Sequence, residues 1–127
     1  MSARTRSAIL LVEDDAIIRG VVCDLLTDAG YEVVEAVDGG AAIAALSEHR
    51  PPPESLCLVI LDMMLPVADG VHVLQALARW DNYVPVVAVS ADRHQLDRAV
   101  AAGVATTLAK PFDLDRLLAV VKRNCKR

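Results

Sequence analysis

Charged and hydroxyl side chains stand at the ends of four apolar segments of this chain. Glu13–Asp15 follow AILLV, Asp62 ends CLVILD, Ser90 follows VVAV, and Lys110 follows TTLA. Several carboxylates in one pocket repel each other and favour a bound cation, and ligands that are all oxygen suit Mg²⁺, with Mn²⁺ as a substitute. With that cation on one side and the Lys110 ammonium on the other, Asp62 could attack a phosphoryl group and become an aspartyl phosphate. The Ser90 hydroxyl could then donate to a phosphoryl oxygen.

Each of these residues alone also has a purely structural interpretation. Acids after a strand are more often helix N-caps than ligands, and Asp is common in turns. Ser90 alone could cap a helix, and Lys110 alone would be an ordinary surface lysine. The whole pattern favours a functional site, because every group falls at the C-terminal end of an apolar segment. In open α/β sheets, ligands bind at that edge.

Five short apolar segments alternate with segments of helical periodicity. The predicted strands cover residues 8–13, 31–37, 57–62, 86–89 and 104–109. The residues before Asp62 are apolar throughout, which is typical of a central parallel strand buried on both faces. The alternation predicts an α/β fold of the flavodoxin-like type, a doubly wound five-stranded parallel sheet in the order 2-1-3-4-5 with five helices. That order places Glu13–Asp15 beside Asp62.

The helices are predicted from apolar stripes and from capping residues. Asp38 and Asp113 are expected to cap the second and fifth helices. The fourth helix has a weaker pattern, with Leu96, Ala99 and Val100 inward, and is expected to be short or irregular. The first helix is expected to turn one apolar stripe towards the sheet, which comprises Ile17, Ile18, Val21, Val22, Leu25 and Leu26.

Length, composition and charge limit the class of protein. The 127 residues suit a single domain, residues 1–127 with a core of about 7–122, and 54% hydrophobic residues are ample for that core. A net charge of −4 without a basic stripe argues against direct nucleic-acid binding. The N-terminal MSARTRS is too short and polar for a signal peptide, and no apolar run approaches the roughly 20 residues of a membrane span. A cytoplasmic location is therefore predicted, with Cys23, Cys57 and Cys125 as buried or incidental thiols.

Four sequence strings together resemble the receiver domain of two-component response regulators. These are ILLVEDD, LVILDMMLPVADG, VVAVSA and LAKPF, in this order and at these predicted strand ends. The resemblance covers about Ser7 to Lys122. It implies that Asp62 is the phosphoacceptor and that Glu13 and Asp14 are the acidic pair. It further implies that Asp62 and the Met64 carbonyl complete the protein's Mg²⁺ ligands.

The resemblance also assigns residues around the phosphorylation site. Ser90 matches the hydroxyl switch residue of the family, and Lys110 matches its lysine before a typically cis proline. Met64 and Asp92 stand where the family tunes the lifetime of the acyl phosphate. Thr107 replaces the usual Tyr or Phe three residues before the lysine. A threonine cannot act as an aromatic latch, so we expect a smaller loop shift driven by Ser90.

Other readings compete with the receiver interpretation. A haloacid-dehalogenase-like phosphatase needs a second Asp where this chain has Met64, and a flavodoxin-like cofactor binder needs a phosphate loop where this chain has Glu13–Asp15. A pseudo-receiver that serves only as an interaction module would not need the phosphorylation residues, all of which are present. We therefore predict a signalling module that is not an enzyme.

The resemblance implies partners on both sides of a signalling pathway. A sensor histidine kinase or a histidine phosphotransfer protein would donate the phosphoryl group, and an unidentified protein would receive the signal. The polar start at Met1 favours a stand-alone regulator of the chemotaxis type, monomeric or weakly dimeric. The alternative is a receiver excised from a hybrid histidine kinase or another larger regulator.

Overall fold

Five strands alternate with five helices in the computed structural model, which describes residues 7–80 and 83–125. The strands are β1 (Ala8–Val12), β2 (Glu32–Ala36), β3 (Leu56–Asp62), β4 (Val86–Ser90) and β5 (Thr106–Ala109). The helices are α1 (Ala16–Asp28), α2 (Gly39–Ser47), α3 (Gly70–Leu77), α4 (Arg93–Ala101) and α5 (Leu114–Asn124). The α/β fold class predicted from the sequence is confirmed. β5 is shorter than predicted, since pairing begins only at Thr106.

The five strands form one parallel sheet in the predicted order β2-β1-β3-β4-β5. β1 and β3 are buried at every position, because helices cover both faces of the sheet's centre. Val12 is paired with Leu61, so Glu13 and Asp62 leave the sheet side by side. Ser90 is paired with Ala109, which brings the ends of β4 and β5 together. The site residues therefore share one edge because of the strand order.

Two hydrophobic cores fill the space between the sheet and its helices. On one face, α1 and α5 contribute Val22, Leu26, Leu117, Val120 and Val121. On the other face, α2, α3 and α4 contribute Ala42, Ala45, Leu46, Val73 and Ala99. The small side chains on α2 and α4 allow these helices to approach the sheet closely. Tight packing on both faces fixes the strand ends that carry the functional groups.

Each helix begins with an aspartate as its N-cap. Their carboxylates accept backbone N–H groups of the first turn, from residues Asp15, Asp38, Asp69, Asp92 and Asp113. An aspartate cap satisfies free N–H donors and places negative charge at the positive end of the helix dipole. The caps predicted at Asp38 and Asp113 are confirmed. All five caps lie at the carboxyl edge of the sheet, so they also fix the conformation of the loops around the site.

Three of the side chains expected to face inward lie on the surface. Ile17 is 80% exposed and Val21 is 44% exposed, although Val22 and Leu26 of the same stripe are buried. The apolar stripe of α1 is wider than the strip of helix that the sheet can cover. Val100 is 57% exposed because α4 packs through Leu96 and Ala99. α4 has nine residues, so it is shorter than α1 and α5, as expected from its weaker pattern.

None of the helices within residues 7–80 and 83–125 is both long enough and apolar enough to cross a bilayer.

Cys57 and Cys125 form a disulfide, so the prediction of free thiols is wrong for these two residues. Cys57 lies near the start of β3, and Cys125 follows α5, with their Cα atoms 5.0 Å apart. Cys23 on α1 is a free cysteine. The pairing joins residues 68 positions apart, and only the packing of α5 against the sheet brings them together. The disulfide ties the end of the last helix to the strand that carries Asp62.

We expect reduction to destabilise the protein because the disulfide closes a long loop in the unfolded chain. In the chain-entropy model, a separation of 68 residues corresponds to roughly 4 kcal/mol of unfolding free energy. Urea unfolding of the air-oxidised protein, with and without dithiothreitol, measures this difference. Cys23→Ser is the matched control and should retain the full response to reductant. Three titratable thiols in the oxidised, unfolded protein, instead of the single thiol of Cys23, would contradict the pairing.

Candidate phosphorylation site

The centre of the site is an ion-pair cluster at the carboxyl edge of the sheet. The Lys110 ammonium lies 2.8 Å from Glu13 Oε1 and donates a hydrogen bond of 2.9 Å to Asp62 Oδ2. Glu13 and Asp62 are each only 4% exposed. The three residues follow or end β1, β3 and β5. The partly buried Lys110 thus compensates the negative charge of two buried carboxylates, which would be costly to bury without a cationic partner.

Asp14 completes an acidic cluster with Glu13 and Asp62. One carboxylate oxygen from each of the three residues lies within 4.8 Å of the other two. Glu13 and Asp62 are buried, whereas Asp14 is exposed to solvent. These oxygen donors fit Mg²⁺ or Mn²⁺, which take carboxylates together with water. The cluster opens to solvent on the Asp14 side, where water can complete the coordination of a cation.

The loop after Asp62 holds this carboxylate in place. The Met64 N–H donates to Asp62 Oδ1 at 2.9 Å, so both oxygens of Asp62 have partners. The loop then turns sharply into α3, and the Gly70 N–H donates to the Met63 carbonyl at 3.2 Å. A Cβ at Gly70 would come within 2.9 Å of Met63 Cα, which explains a glycine at this position. The Met64 side chain is exposed, and ligation through its carbonyl stays a prediction.

Asp15 has a different role from its two acidic neighbours. Its carboxylate caps α1 by accepting the N–H groups of Ile17 and Ile18. Its own N–H donates to Glu13 Oε2 at 3.1 Å. Glu13 is therefore held from two sides, by the turn itself and by Lys110. Because Asp15 caps α1, Glu13 and Asp14 are the two acids of this turn that cluster with Asp62.

Ser90 and Asp92 lie on the next loop of the same edge. Ser90 is almost fully buried, and its Oγ accepts the Asp92 N–H at 3.0 Å. Asp92 caps α4 by accepting the His94 N–H. The Lys110 N–H donates to the Ser90 carbonyl, and the peptide bond from Lys110 to Pro111 is cis. The backbone around Lys110 is thus joined directly to the end of β4.

Thr107 is a partly buried residue on β5. It lines a pocket together with Phe112 and Arg116. The only phenylalanine of the chain, Phe112, packs on the core between α1 and α5.

Two features of the site were not predicted from the sequence. Arg19 on α1 donates from Nη1 to the Glu13 carbonyl at 2.9 Å. An apolar groove of about 390 Å³ also opens beside Lys110, lined chiefly by α1 and by the loop that leads from β5 into α5. The groove contains Ile17 and Val21, the side chains that the sequence pattern places wrongly in the core. In the sequence, a single arginine on a helix and a wide apolar stripe look the same whether or not they belong to a functional site.

Comparison with known proteins identifies the family. The family model for the response regulator receiver domain matches residues 9–122. The chain belongs to the response regulator receiver family.

Relatives of this receiver include whole regulators and single domains. The transcriptional regulatory protein PrrA of Mycobacterium tuberculosis is 40% identical over 126 residues, which cover 97% of this chain and 52% of PrrA. The chain spans about half the length of the first curated relatives that it matches. The chemotaxis protein CheY of Bacillus subtilis is 33% identical over 119 residues, or 91% of this chain and 95% of CheY.

A solved receiver structure closely matches the fold. It is the receiver domain of the sensor histidine kinase PA1611 from Pseudomonas aeruginosa, solved with a magnesium ion in its active site cleft. That domain is 30% identical, with a TM-score of 0.81, and the match covers 95% of this chain and 98% of that one. Receiver domains are signalling modules of two-component systems, and the acidic cluster of this chain is consistent with aspartate phosphorylation and Mg²⁺.

Burial sets the charge state of this receiver's acidic cluster. It raises the pKa of Glu13 from 4.5 to about 7, against the lowering effect of the hydrogen bond from Lys110. Burial alone would lower the pKa of Lys110, but its hydrogen bonds to Glu13 and Asp62 raise the pKa above its usual value. Without metal, the cluster therefore combines a charged lysine with a glutamate that holds its proton unusually well.

We expect Glu13 to make the stability of the metal-free protein depend on pH. Its raised pKa means that the folded state binds a proton more tightly than the unfolded state. The resulting stabilisation is fully present below pH 4.5 and is lost as the pH rises through about 7. Relative to Glu13→Gln, the unfolding free energy should fall by on the order of 2–3 kcal/mol across that window. Urea unfolding in a chelator at stepped pH tests this, and parallel curves for the two proteins would contradict it.

Proposed function

We propose that this receiver accepts a phosphoryl group on Asp62 from a phosphohistidine and changes its protein contacts in response. The observation that carries the proposal is the Lys110 ammonium between Glu13 and Asp62, next to the acidic cluster with Asp14. A lysine paired with the nucleophile can neutralise charge on a transferring phosphoryl group. The acidic cluster supplies donors for the divalent cation that such chemistry needs.

The proposed transfer uses groups that already contact Asp62. A carboxylate oxygen of Asp62 forms a bond to phosphorus, while the phosphorus–nitrogen bond breaks and its electron pair remains on the donor imidazole. The Met64 N–H and the Lys110 ammonium orient the two carboxylate oxygens for this attack. Glu13, Asp14 and Asp62 would hold Mg²⁺, which supplies further positive charge for the phosphoryl oxygens. The Met64 carbonyl is proposed as an additional ligand.

Ser90 and its neighbours would report the modification. The Ser90 oxygen accepts the Asp92 N–H, which leaves its own hydrogen available to donate to a phosphoryl oxygen. A shift of Ser90 would pull on the Asp92 cap and so on the start of α4. Thr107 cannot act as an aromatic latch. We therefore propose a response centred on the loop between β4 and α4. Met64 and Asp92, both exposed, would tune access of water to the phosphoaspartate.

Phosphorylation by acetyl phosphate tests the proposed chemistry. In Mg²⁺ the intact mass should increase by about 80 Da, the mass of one phosphoryl group. Asp62→Asn should abolish this gain, and a chelator should prevent it. Asp38→Asn is the matched control, because asparagine still caps α2 and the residue is not among the proposed ligands. An adduct that persists in Asp62→Asn would contradict the assignment, as would an unmodified native chain that also fails to bind beryllofluoride.

The apolar groove beside Lys110 is our candidate for the place where the phosphodonor docks. It is lined by α1 through Ile17, Ile18 and Val21, and Lys110 itself forms part of its wall. A helix laid into this groove would carry a phosphohistidine next to Asp62, because Lys110 contacts both. We therefore propose that the occupant is the phosphohistidine-bearing helix of a kinase or phosphotransfer protein.

A charge placed in the groove should slow phosphoryl transfer from a protein donor but not from a small-molecule donor. Ile17→Glu should slow transfer from a phosphorylated histidine phosphotransfer domain roughly tenfold or more, the size expected for loss of an interface anchor. Its rate with acetyl phosphate should stay within about twofold of the native rate, because no docking is involved. Val100→Glu, at an exposed apolar site on α4, is the matched control. Equal effects of Ile17→Glu on both donors would contradict docking at the groove.

The domain extent, the partners and the location of the protein are proposed from its family and its sequence. We propose a single receiver domain over residues 1–127, with partners that are proteins and no direct contact with nucleic acid. Because the chain spans about half of its first curated relatives, a receiver from a longer regulator or hybrid kinase is the alternative to a stand-alone regulator. A cytoplasmic location is also proposed. Disulfides are rare in that compartment, so the Cys57–Cys125 disulfide is the observation that weighs against this location.

A further inference from the structure

We propose that Arg19 is the positioning residue that holds the turn between β1 and α1 in the geometry needed for cation binding. The inference rests on the proposed function, since it concerns the same acidic cluster. Arg19 contacts no phosphoryl or metal position itself. Its role is to fix the backbone on which Glu13 and Asp14 are presented to Asp62.

The guanidinium of Arg19 joins the turn to the edge strand of the sheet. Its Nη1 donates to the Glu13 carbonyl at 2.9 Å, and its Nε lies 3.3 Å from Glu35 Oε1 on β2. The side chain is only 17% exposed, although α1 presents most of its polar residues to solvent. The Glu13 N–H donates to the Ala36 carbonyl at 3.1 Å. The residue that starts the turn is thus tied to β2 through both its N–H and its carbonyl.

This bracing matters because the turn carries carboxylates that repel the one on β3. Carboxylate oxygens of Glu13, Asp14 and Asp62 lie within 4.8 Å of each other, and in the part of the chain that the structure describes Lys110 is the one cation bonded to this cluster. Asp14 is exposed, so little packing opposes an outward movement of the turn. A backbone carbonyl fixed by a charged donor resists that movement. A cation site whose ligands are already in place binds more tightly, because less ordering is required on binding.

Arginine suits this task in a way that lysine does not. The planar guanidinium offers several N–H donors in a fixed fork, so Arg19 can bond the Glu13 carbonyl and the Glu35 carboxylate at once. Lysine keeps the positive charge but lacks the fork. Arg19→Lys therefore separates positioning of the turn from a simple contribution of charge.

Mg²⁺ titration calorimetry on the full chain tests the proposal. We expect Arg19→Lys to weaken Mg²⁺ binding about tenfold, in the range seen when partners that orient metal ligands are lost. Glu35→Gln should show a smaller loss in the same direction, and its effect should largely disappear in the Arg19→Lys background. At saturating Mg²⁺, the rate of phosphorylation by acetyl phosphate should recover to within about twofold of native.

Arg50→Lys is the matched control, because Arg50 forms a comparable but exposed pair with Glu48. It should leave Mg²⁺ binding unchanged. Amide hydrogen exchange in the metal-free protein gives an independent readout. The Asp15 N–H, bonded to Glu13, should exchange faster in Arg19→Lys, while amides in the centre of β3 keep their protection.

The outcomes separate this proposal from the proposed function. Native Mg²⁺ affinity and native exchange at Asp15 in Arg19→Lys would overturn the positioning role, as would a loss of affinity accompanied by faster exchange throughout the sheet. A chain that binds Mg²⁺ through Arg19 but takes no phosphoryl group would support positioning and refute the proposed function. A native chain that binds no Mg²⁺ would overturn both.

Discussion

The structure depends on one ammonium group placed between two buried carboxylates. Lys110 satisfies Glu13 and Asp62 where solvent cannot, and without it the carboxyl edge would hold negative charge that nothing in the site compensates. With Asp14, the cluster contains three carboxylates against one lysine. The excess of two negative charges is the amount that a divalent cation supplies. In its absence, the raised pKa of Glu13 relieves part of the same imbalance by retaining a proton.

The order of the strands brings the residues of this cluster together. Because β1 lies between β2 and β3, the acidic turn emerges beside Asp62, and it is braced from the other side by Arg19 and Glu35. β4 and β5 then bring Ser90 and Lys110 to the same edge. The aspartate caps start the helices at this edge, and the two cores below them leave the strand ends little freedom. A rigid frame therefore holds an edge at which negative charge exceeds positive charge.

Much of this arrangement could be predicted because it depends on local sequence. The unbroken apolar run of β3 identifies a central strand, and acids, serine and lysine at the ends of such runs must meet once the sheet is parallel. What could not be predicted depends on packing between distant segments. The Cys57–Cys125 disulfide joins positions 68 apart, and Ile17 differs from its buried neighbour Val22 only by its place on the helix surface. Arg19 acts through a backbone carbonyl, which no residue pattern records.

A crystal structure of the protein grown in Mg²⁺ would show whether the acidic cluster and Lys110 form one cation-dependent site. We expect one ion at the carboxyl edge, with oxygen ligands from Glu13, Asp14, Asp62 and the Met64 carbonyl, and with Lys110 still bonded to Asp62. Water would complete an octahedron around the ion. An edge that holds no ion at saturating Mg²⁺, or an ion bound without Asp62, would contradict the claim that these residues form one phosphorylation site.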